Sequence, residues 1–194
     1  ADAIRGAGIW KSVDGGMTWS VLPATENSNF HFCLRLQMTQ NGDLYSATRS
    51  GLWKSVDKGA SFYKVLGQGA VAGNDWITDM EIAGDGDLYV ASSSSGIYRS
   101  ETSLGTNQGE LGQWTRLTAP LGSGFARIEL AVGQAQPDMV YAVSEIGFGT
   151  GDIIKSTNGG DTWSITSGQP NGGSDYSNGQ AWYDLSFEVN PTNA

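Results

Sequence analysis

Two aspartates have the residue type and the spacing to support chemistry. Asp79 and Asp184 occupy the same position in two similar alternating runs, residues 78–82 and 183–187. Side chains alternate between the two faces of a strand, so both carboxyl groups point away from the apolar side chains of their runs. If these strands are innermost in the fold, the carboxyl groups could face each other across an open channel. They could then act as the acid and base of glycoside hydrolysis.

The same alignment allows a purely structural alternative. Arg127 shares the position of the two aspartates in a third run, while Arg35 and Glu81 lie two residues further along theirs. Buried charges are tolerated only when they are paired. In this alternative Arg127 bridges the aspartates and Arg35 neutralises Glu81, which leaves no catalytic pair.

A long loop provides a second candidate site, for binding. Residues 167–182 are rich in Gly, Asn and Ser and include several aromatic side chains. Long loops in compact domains are often functional, although a loop of this composition could also be a plain surface connection. Exposed aromatic rings can stack on a sugar or anchor a protein partner. The predicted binding residues are Trp76, Asp175, Tyr176, Trp182, Tyr183 and Arg127.

A repeated motif must position these residues. An apolar residue, a basic residue, a serine, a Gly-containing turn and an aromatic residue recur in this order four times. The serines are Ser12, Ser55, Ser100 and Ser156, in steps of 43, 45 and 56 residues, and an insertion delays the third aromatic residue to Trp114. A four-stranded propeller blade requires a period of about 40–45 residues.

The motif resembles the Asp box, or BNR repeat, of sialidases, sortilin-like receptors, xyloglucan-cleaving hydrolases and large secreted bacterial proteins. Asp and Ser side chains can bond the backbone of such a turn, glycine can adopt a positive φ there, and the aromatic residue can anchor the next strand. In these families the box is structural. The residues with this predicted role are Ser12, Asp14, Gly16, Trp19, Ser55, Asp57, Gly59, Phe62, Ser156, Asn158, Gly160 and Trp163.

The pattern predicts an all-β fold. Each repeat contains an alternating strand, a strand of the Asp-Leu-Tyr type, the strand that ends in the serine, and an aromatic strand after the turn. We therefore predict that residues 1–194 form one β-propeller region of four-stranded antiparallel blades. Complete blades are expected at 30–66, 75–118 and 125–167, and half blades at 1–22 and 182–194.

The two half blades leave two options. Residues 182–190 could pair with residues 4–22 and close a four-bladed ring, which is the lower limit for propellers. Alternatively, the chain is part of a larger propeller whose remaining blades cover the open sheet edges. The second interpretation is favoured because four-bladed rings are rare.

Composition narrows the classes of partner. The net charge of −9 and the lack of basic clusters argue against nucleic acid, because binding to phosphates depends on Lys and Arg. No apolar run approaches the length of a membrane span. His31, the single histidine, has no partner at the spacing of a zinc site, so neither a metal ion nor a cofactor is predicted.

Two functions are consistent with these observations. The 28 glycines and the charged fraction of 16% are typical of a secreted β domain with many tight turns. The resemblance implies that ligands bind at the loop face opposite the Asp-box turns. We predict an extracellular or cell-surface platform that binds a glycan or a protein without catalysis. The alternative is a fragment of a secreted glycoside hydrolase with Asp79 and Asp184 in its site.

Overall fold

The computed structural model describes residues 4–67, 76–93, 95–166, 170 and 175–192. Within these residues the secondary structure is almost entirely antiparallel β. Short 3₁₀ segments cover Pro23–Thr25, Ser28–Phe30 and Thr102–Asn107.

The described strands form four sheets, which we number as blades 1 to 4 in chain order. Blade 1 has two strands, β1 (Trp10–Lys11) and β2 (Ser20–Val21). Blade 2 comprises β3 (Cys33–Met38), β4 (Leu44–Thr48), β5 (Gly51–Ser55) and β6 (Tyr63–Leu66). Blade 3 comprises β7 (Ile77–Ile82), β8 (Leu88–Ser92), β9 (Gly96–Ser100) and β10 (Thr115–Arg116). Blade 4 comprises β11 (Phe125–Val132), β12 (Val140–Ile146), β13 (Gly149–Thr150), β14 (Ile154–Ser156) and β15 (Ser164–Ile165).

Blades 2, 3 and 4 confirm the predicted four-stranded antiparallel sheet. In each of them the strands are paired in chain order, and in blade 4 the short β13 adds to β12. The first strands of the three sheets, β3, β7 and β11, lie side by side. The sheets are therefore stacked face to face with their first strands nearest a common axis.

Two apolar cores hold these blades together, because alternate residues of every strand face a neighbouring sheet. The core between blades 2 and 3 contains Tyr45, Ala47, Leu52, Val65, Ile77, Met80, Leu88 and Val90. The core between blades 3 and 4 includes Tyr89, Ala91, Ile97, Leu117, Ile128, Leu130, Val140, Ala142 and Ile154.

Blade 1 covers only the outer half of blade 2. Phe30, which follows the hairpin, is buried against Trp53 and Phe62, with ring centroids 5.3 and 5.1 Å apart. Within the described residues β1 pairs only with β2, so the four-bladed closure is not formed there. On the inner strand β3, three apolar side chains remain 42, 45 and 63% exposed: Leu34, Leu36 and Met38.

A β-bulge in each inner strand determines the register near the axis. Beyond the bulges, Arg35, Asp79 and Glu129 lie at the same level of three neighbouring sheets. The sequence alignment that set Asp79 level with Arg127 is therefore wrong by two residues. A shift of two keeps every side chain on its face, so the alternating pattern could not reveal the error.

The C-terminal segment packs on blade 4 without forming a strand. A turn and an unpaired stretch replace the strand predicted at residues 183–187. Leu185 is buried and its carbonyl oxygen accepts a hydrogen bond from Arg127 Nη2 at 2.8 Å. The Phe187 ring packs edge-on against Tyr141, 6.2 Å between centroids. The segment lies beside β11, in the place of a further inner strand, but no described strand pairs with it.

Candidate functional site

The turn that follows the serine of blade 1 is closed by its own side chains. Ser12 Oγ donates to Asp14 Oδ1 at 2.8 Å and accepts from Gly16 N at 2.7 Å. The Asp14 carboxylate accepts from Thr18 N at 2.9 Å and from Thr18 Oγ1 at 2.6 Å. Trp19 Nε1 donates to Gly16 O at 3.1 Å. We call this unit the Ser/Asp turn.

Blades 2 and 4 repeat the arrangement. Ser55 Oγ and Ser156 Oγ each accept from the glycine N–H four residues later, at 2.8 Å in both blades. Asp57 and Asn158 also accept from the N–H four residues later, at 2.9 and 3.0 Å. Because an amide oxygen replaces a carboxylate oxygen in blade 4, the turn requires an acceptor rather than a charge.

The glycines and aromatic residues of these turns have matching roles. Gly59 and Gly160 have φ values of 90° and 93°, in the left-handed region that favours glycine. Trp163 Nε1 donates to Gly160 O at 2.8 Å, as the tryptophan of blade 1 does to its own turn. Phe62 has no such donor and packs edge-on against Phe30 instead.

Blade 3 keeps the serine–glycine hydrogen bond of the turn despite its insertion. Ser100 Oγ accepts from Gly109 N at 2.8 Å, and Gly109 has φ of +71°. The repeat motif identifies Ser100 but not Gly109, because the insertion that contains residues 102–107 removes the regular spacing.

These hydrogen bonds explain the acidity of the turn aspartates. The pKa of Asp14 falls to about 2, first because Thr18 Oγ1 donates to its carboxylate. The pKa of Asp57 falls to about 2, and the Ser61 hydroxyl is the first cause. Both side chains are ionised and directed into their own turns, where their oxygens accept hydrogen bonds from the turn.

A second group of charges lies near the axis, where the inner strands meet. Asp79 has a side chain only 1% exposed, and its Oδ1 accepts from Arg35 Nε at 2.7 Å and from Met80 N at 2.8 Å. Its Oδ2 accepts from Leu130 N, in the next blade, at 2.9 Å. One carboxylate therefore joins three consecutive blades.

Two glutamates extend this axial cluster. Arg35 Nη2 lies 3.4 Å from Glu81 Oε1 and 3.7 Å from Glu129 Oε2. Arg127 Nη2 lies 2.6 Å from Glu129 Oε1. Burial raises the pKa of both glutamates to about 7, and the negative charge of Asp79 is the second cause.

The two aspartates proposed as an acid–base pair have different surroundings. Asp79 is buried, and both of its oxygens already accept hydrogen bonds. Asp184 is exposed on the C-terminal segment, where its N–H donates to Gln180 O at 2.9 Å. A catalytic acid or base must reach the substrate, and the Asp79 carboxylate does not face solvent.

Exposed aromatic rings gather on the loop side of blade 4. Trp182 and Tyr183 are 39 and 52% exposed and pack edge to face, 4.3 Å between centroids. Tyr176 is also exposed. Phe148, in the loop after β12, is 65% exposed, and its carbonyl oxygen accepts from Ala181 N at 2.9 Å. We call Phe148, Tyr176, Trp182 and Tyr183 the aromatic patch.

Phe148 was not among the residues predicted from the sequence. It stands alone between Gly147 and Gly149, and its φ of 76° is unusual for a bulky residue. The glycines on either side were the available signal, because they mark a sharp turn that forces an apolar ring outward.

Asp175 fixes the loop beneath the patch. Its Oδ1 accepts from Thr150 N at 3.0 Å and from Ser177 Oγ at 2.6 Å, and its Oδ2 accepts from Gly179 N at 2.6 Å. The Ser177 hydroxyl is the first cause that lowers the pKa of this carboxyl. Among the predicted binding residues, Asp175 and Arg127 are therefore engaged within the chain.

Trp76 lies apart from the patch, between blades 2 and 3. The Arg49 guanidinium stacks over the Trp76 ring at 4.5 Å and over the Phe32 ring at 4.8 Å. This cation–π contact covers a ring face that a ligand would otherwise use. Residues 167–169 and 171–174 of the predicted loop 167–182 lie outside the described residues.

Neither a family model nor a curated protein sequence matches this chain. Solved structures do. A GH74 enzyme of Niastella koreensis matches with a TM-score of 0.61 and 22% identity, over 81% of this chain and 26% of that one. YCF48 bound to a D1 peptide matches with a TM-score of 0.59 and 19% identity, over 87% and 50%. The fold is a β-propeller.

A third propeller, the GH74 xyloglucanase from Xanthomonas campestris, matches with a TM-score of 0.58 and 19% identity, over 84% of this chain and 27% of that one. The chain thus spans between a quarter and a half of the length of these structures. Across the described ranges of the propeller, no helix has the length and apolar character needed to cross a membrane.

Proposed function

We propose that this β-propeller carries Asp-box repeats and is a non-catalytic glycan-binding module outside the cell or at its surface. The aromatic patch is the observation that carries the proposal. The exposed Trp182 and Tyr183 rings contact each other, and the exposed Phe148 and Tyr176 lie on segments that are hydrogen-bonded next to them. Exposed apolar patches on soluble domains commonly mark interaction sites. The low charged fraction of 16% supports an extracellular location.

The chemistry of the patch suits a sugar. Trp182 and Tyr183 present broad ring faces, and a tyrosine ring combines an apolar body with a hydroxyl that can bond a sugar hydroxyl. The loop is held by Asp175 rather than by a ligand, so the rings are positioned in advance. One similar structure is a xyloglucanase, named for a polysaccharide, and another is bound to a peptide. A protein ligand is therefore the second candidate.

Isothermal titration with xyloglucan oligosaccharides, together with a glycan array, tests the proposal. We expect Trp182→Ala to weaken binding about tenfold, because a few aromatic side chains typically supply most of the binding energy of an interface. Tyr63→Ala is the matched control, since Tyr63 is a comparably exposed ring on the outer strand of blade 2.

The outcomes separate the three alternatives. Array and titration profiles that are the same for Trp182→Ala and the parent would contradict the patch as the binding site. Binding only on a peptide array, lost in Trp182→Ala, would identify a protein platform. Release of reducing sugar from xyloglucan, abolished by Asp184→Asn, would instead support the hydrolase alternative.

A further inference from the structure

A polar cavity of about 590 Å³ lies between the inner strands of blades 2 and 3 and the insertion of blade 3. Its walls are the turn from β3 to β4, the turn from β7 to β8, two residues of the insertion and Gln134 of blade 4. None of the described residues that line it belongs to blade 1 or to the C-terminal segment. A cavity of this size is in the range that holds small ligands.

The cavity and the aromatic patch lie at opposite ends of the strands. The cavity is lined by the turns that join the first strand of a blade to its second strand. Phe148, in the patch, follows the second strand of blade 4. Because consecutive strands are antiparallel, these two kinds of connection lie at opposite ends of a sheet. A ligand bound in the cavity would therefore not touch the patch.

Three glutamine side chains are fixed around the cavity by hydrogen bonds to blade 3. Gln37 Nε2 of blade 2 and Gln134 Nε2 of blade 4 donate to the carbonyl oxygens of Met80 and Ile82 on β7, at 3.2 and 2.8 Å. Gln108 Nε2, in the insertion, donates to a carbonyl oxygen of the turn after β7 at 2.8 Å. No described residue donates to the three amide oxygens, so each remains an acceptor in a fixed position.

The turn between β7 and β8 is held from both sides. A β-carbon on Gly84 would overlap the carbonyl oxygen of Gln134, so glycine lets the turn of blade 4 pack directly against it. On the side of the insertion, Thr102 N and Thr102 Oγ1 donate to Asp87 Oδ1 at 2.7 and 3.0 Å. The walls are therefore formed before a ligand arrives, which lowers the entropic cost of binding.

Glu81 places a carboxylate in this wall. Its side chain is 19% exposed and accepts no hydrogen bond from a described residue. Its ion pair with Arg35 Nη2 is 3.4 Å long, and the same arginine also contacts Asp79 and Glu129. Arg127 pairs with Glu129. When all three carboxyl groups are ionised, the axial cluster therefore has one negative charge more than its two guanidinium groups balance.

The other lining groups favour a cation that also carries hydroxyl groups. The described residues of the lining include a second carboxyl group, Asp85, but no lysine, arginine or histidine. A primary ammonium has three donors and no acceptor, so it matches a carboxylate flanked by amide oxygens. The apolar side chains of the lining are few: Met38, Ile82 and Ala83. Amide and hydroxyl groups dominate the remainder, and they bind sugar hydroxyls better than an alkyl chain.

We propose that this cavity binds an amino sugar, whose ammonium group contacts Glu81 and whose hydroxyl groups contact the amides of Gln37, Gln108 and Gln134. The ammonium supplies the positive charge that the axial cluster lacks. The net charge of −9 attracts such a cation to the molecule.

Titration of the full chain with glucosamine, followed by proton–nitrogen correlation spectra, tests the proposal. We expect a dissociation constant on the order of 1 mM at neutral pH, with shifts in the side-chain NH₂ signals of the three glutamines. Glucose has a hydroxyl in place of the ammonium, and n-butylamine has the ammonium without the sugar. Each should bind at least about tenfold more weakly, because each leaves part of the polar lining unpaired.

Two pairs of variants separate the cavity from general charge effects. Glu81→Gln should weaken glucosamine binding at least about tenfold. Glu26→Gln removes the same charge at an exposed site and should leave binding unchanged. Gln134→Leu should weaken binding about fivefold, since one neutral hydrogen-bonding group is lost. Gln136→Leu is its control, because Gln136 is exposed in the same turn and does not line the cavity. Thermal unfolding establishes that each variant is folded.

The outcomes are distinct from those of the glycan-binding test. Glucosamine binding that persists in Trp182→Ala while xyloglucan binding is lost would support two separate sites. No response of the parent to about 20 mM glucosamine would overturn the proposal, and so would binding that is unchanged in Glu81→Gln or lost in Trp182→Ala. Equal affinity for glucose would overturn the role of the ammonium, and equal affinity for n-butylamine would overturn the role of the hydroxyl groups.

Discussion

The carboxylates of the Ser/Asp turns and those of the axial cluster are held in opposite ways. Asp14 and Asp57 lie at the surface, accept hydrogen bonds from their own turns, and have pKa values lowered to about 2. Glu81 and Glu129 lie between blades, share Arg35 with Asp79, and have pKa values raised to about 7. Each turn is complete within one blade, whereas the axial cluster exists only when the blades are assembled.

This difference separates local from collective stabilisation. A turn depends on residues within about seven positions of one another, so its loss should affect one blade. The axial cluster depends on Asp79, which contacts Arg35 of blade 2 and Leu130 of blade 4. Damage there should reduce the stability of the whole stack. Single substitutions and a pH series test this contrast.

Removing the charge that compensates Asp79 should have the largest effect. Arg35→Met leaves the buried Asp79 carboxylate with backbone donors only, and we expect a loss of about 3 kcal/mol in the free energy of unfolding, at the low end for a broken buried pair because Arg35 is partly exposed. Urea unfolding followed by tryptophan fluorescence measures it. Arg5→Met, at an exposed position, is the control, and equal losses in both variants would remove the special role of the axial cluster.

The pH dependence of stability should reveal the same contrast. The folded-state pKa of Glu81 and Glu129 lies above the unfolded value of 4.5, so the folded state retains protons that the unfolded state releases. Their contribution is present below about pH 4.5 and is lost as the pH rises through about 7. We expect the free energy of unfolding to fall across that window, and unfolding curves at constant ionic strength measure the change.

The turn aspartates act in the opposite direction. Their lowered pKa values give a contribution that is present above about pH 3.8 and is lost as the pH falls through about 2. Stability should therefore be greatest between these two ranges. Glu129→Gln should flatten the loss above pH 4.5 and leave the acid side unchanged. A parent chain that becomes more stable from pH 4.5 to 7 would contradict the burial of the axial glutamates.

The smallest expected effect is the difference between two serines at the same repeat position. Ser156 is 1% exposed, whereas Ser12 lies in the more open turn of blade 1. Ser156→Ala leaves the buried N–H of Gly160 unsatisfied and should cost about 1–2 kcal/mol, while Ser12→Ala should cost less than about 1 kcal/mol because water replaces the hydroxyl. Thermal unfolding of the two variants gives the comparison. Equal costs would mean that burial does not determine the strength of the turn.

The sequence was sufficient for the blade plan because the turn chemistry is local. A serine, an acceptor two residues later and a glycine two residues after that define Ser55, Asp57 and Gly59 without knowledge of any other blade. The alternating strands and their order also follow from periodicity alone. In blade 3 the same spacing does not identify Gly109, because the insertion places it nine residues after Ser100.

The axial cluster could not be derived in the same way. Whether Arg35 or Cys33 lies beside Asp79 depends on a bulge, and a two-residue slip leaves the alternating pattern unchanged. The missing strand at residues 183–187 has a related cause, because a strand needs a partner and the described chain supplies none there. Phe148 was overlooked because a single ring between glycines has no period.

One hydrogen bond recurs between neighbouring blades: the basic residue before a repeat serine donates to a backbone carbonyl in the turn of the next blade, as Lys11 does to Lys58 O and Arg99 to Gly159 O. Within one regular repeat, the donor residue and the residue that supplies the acceptor lie four positions apart, as in Lys11 and Gly15 or Lys155 and Gly159. A gene segment duplicated at any point in the repeat therefore carries one complete set of connecting parts. A chain made of such repeats can therefore form the same contact at each junction between neighbouring blades.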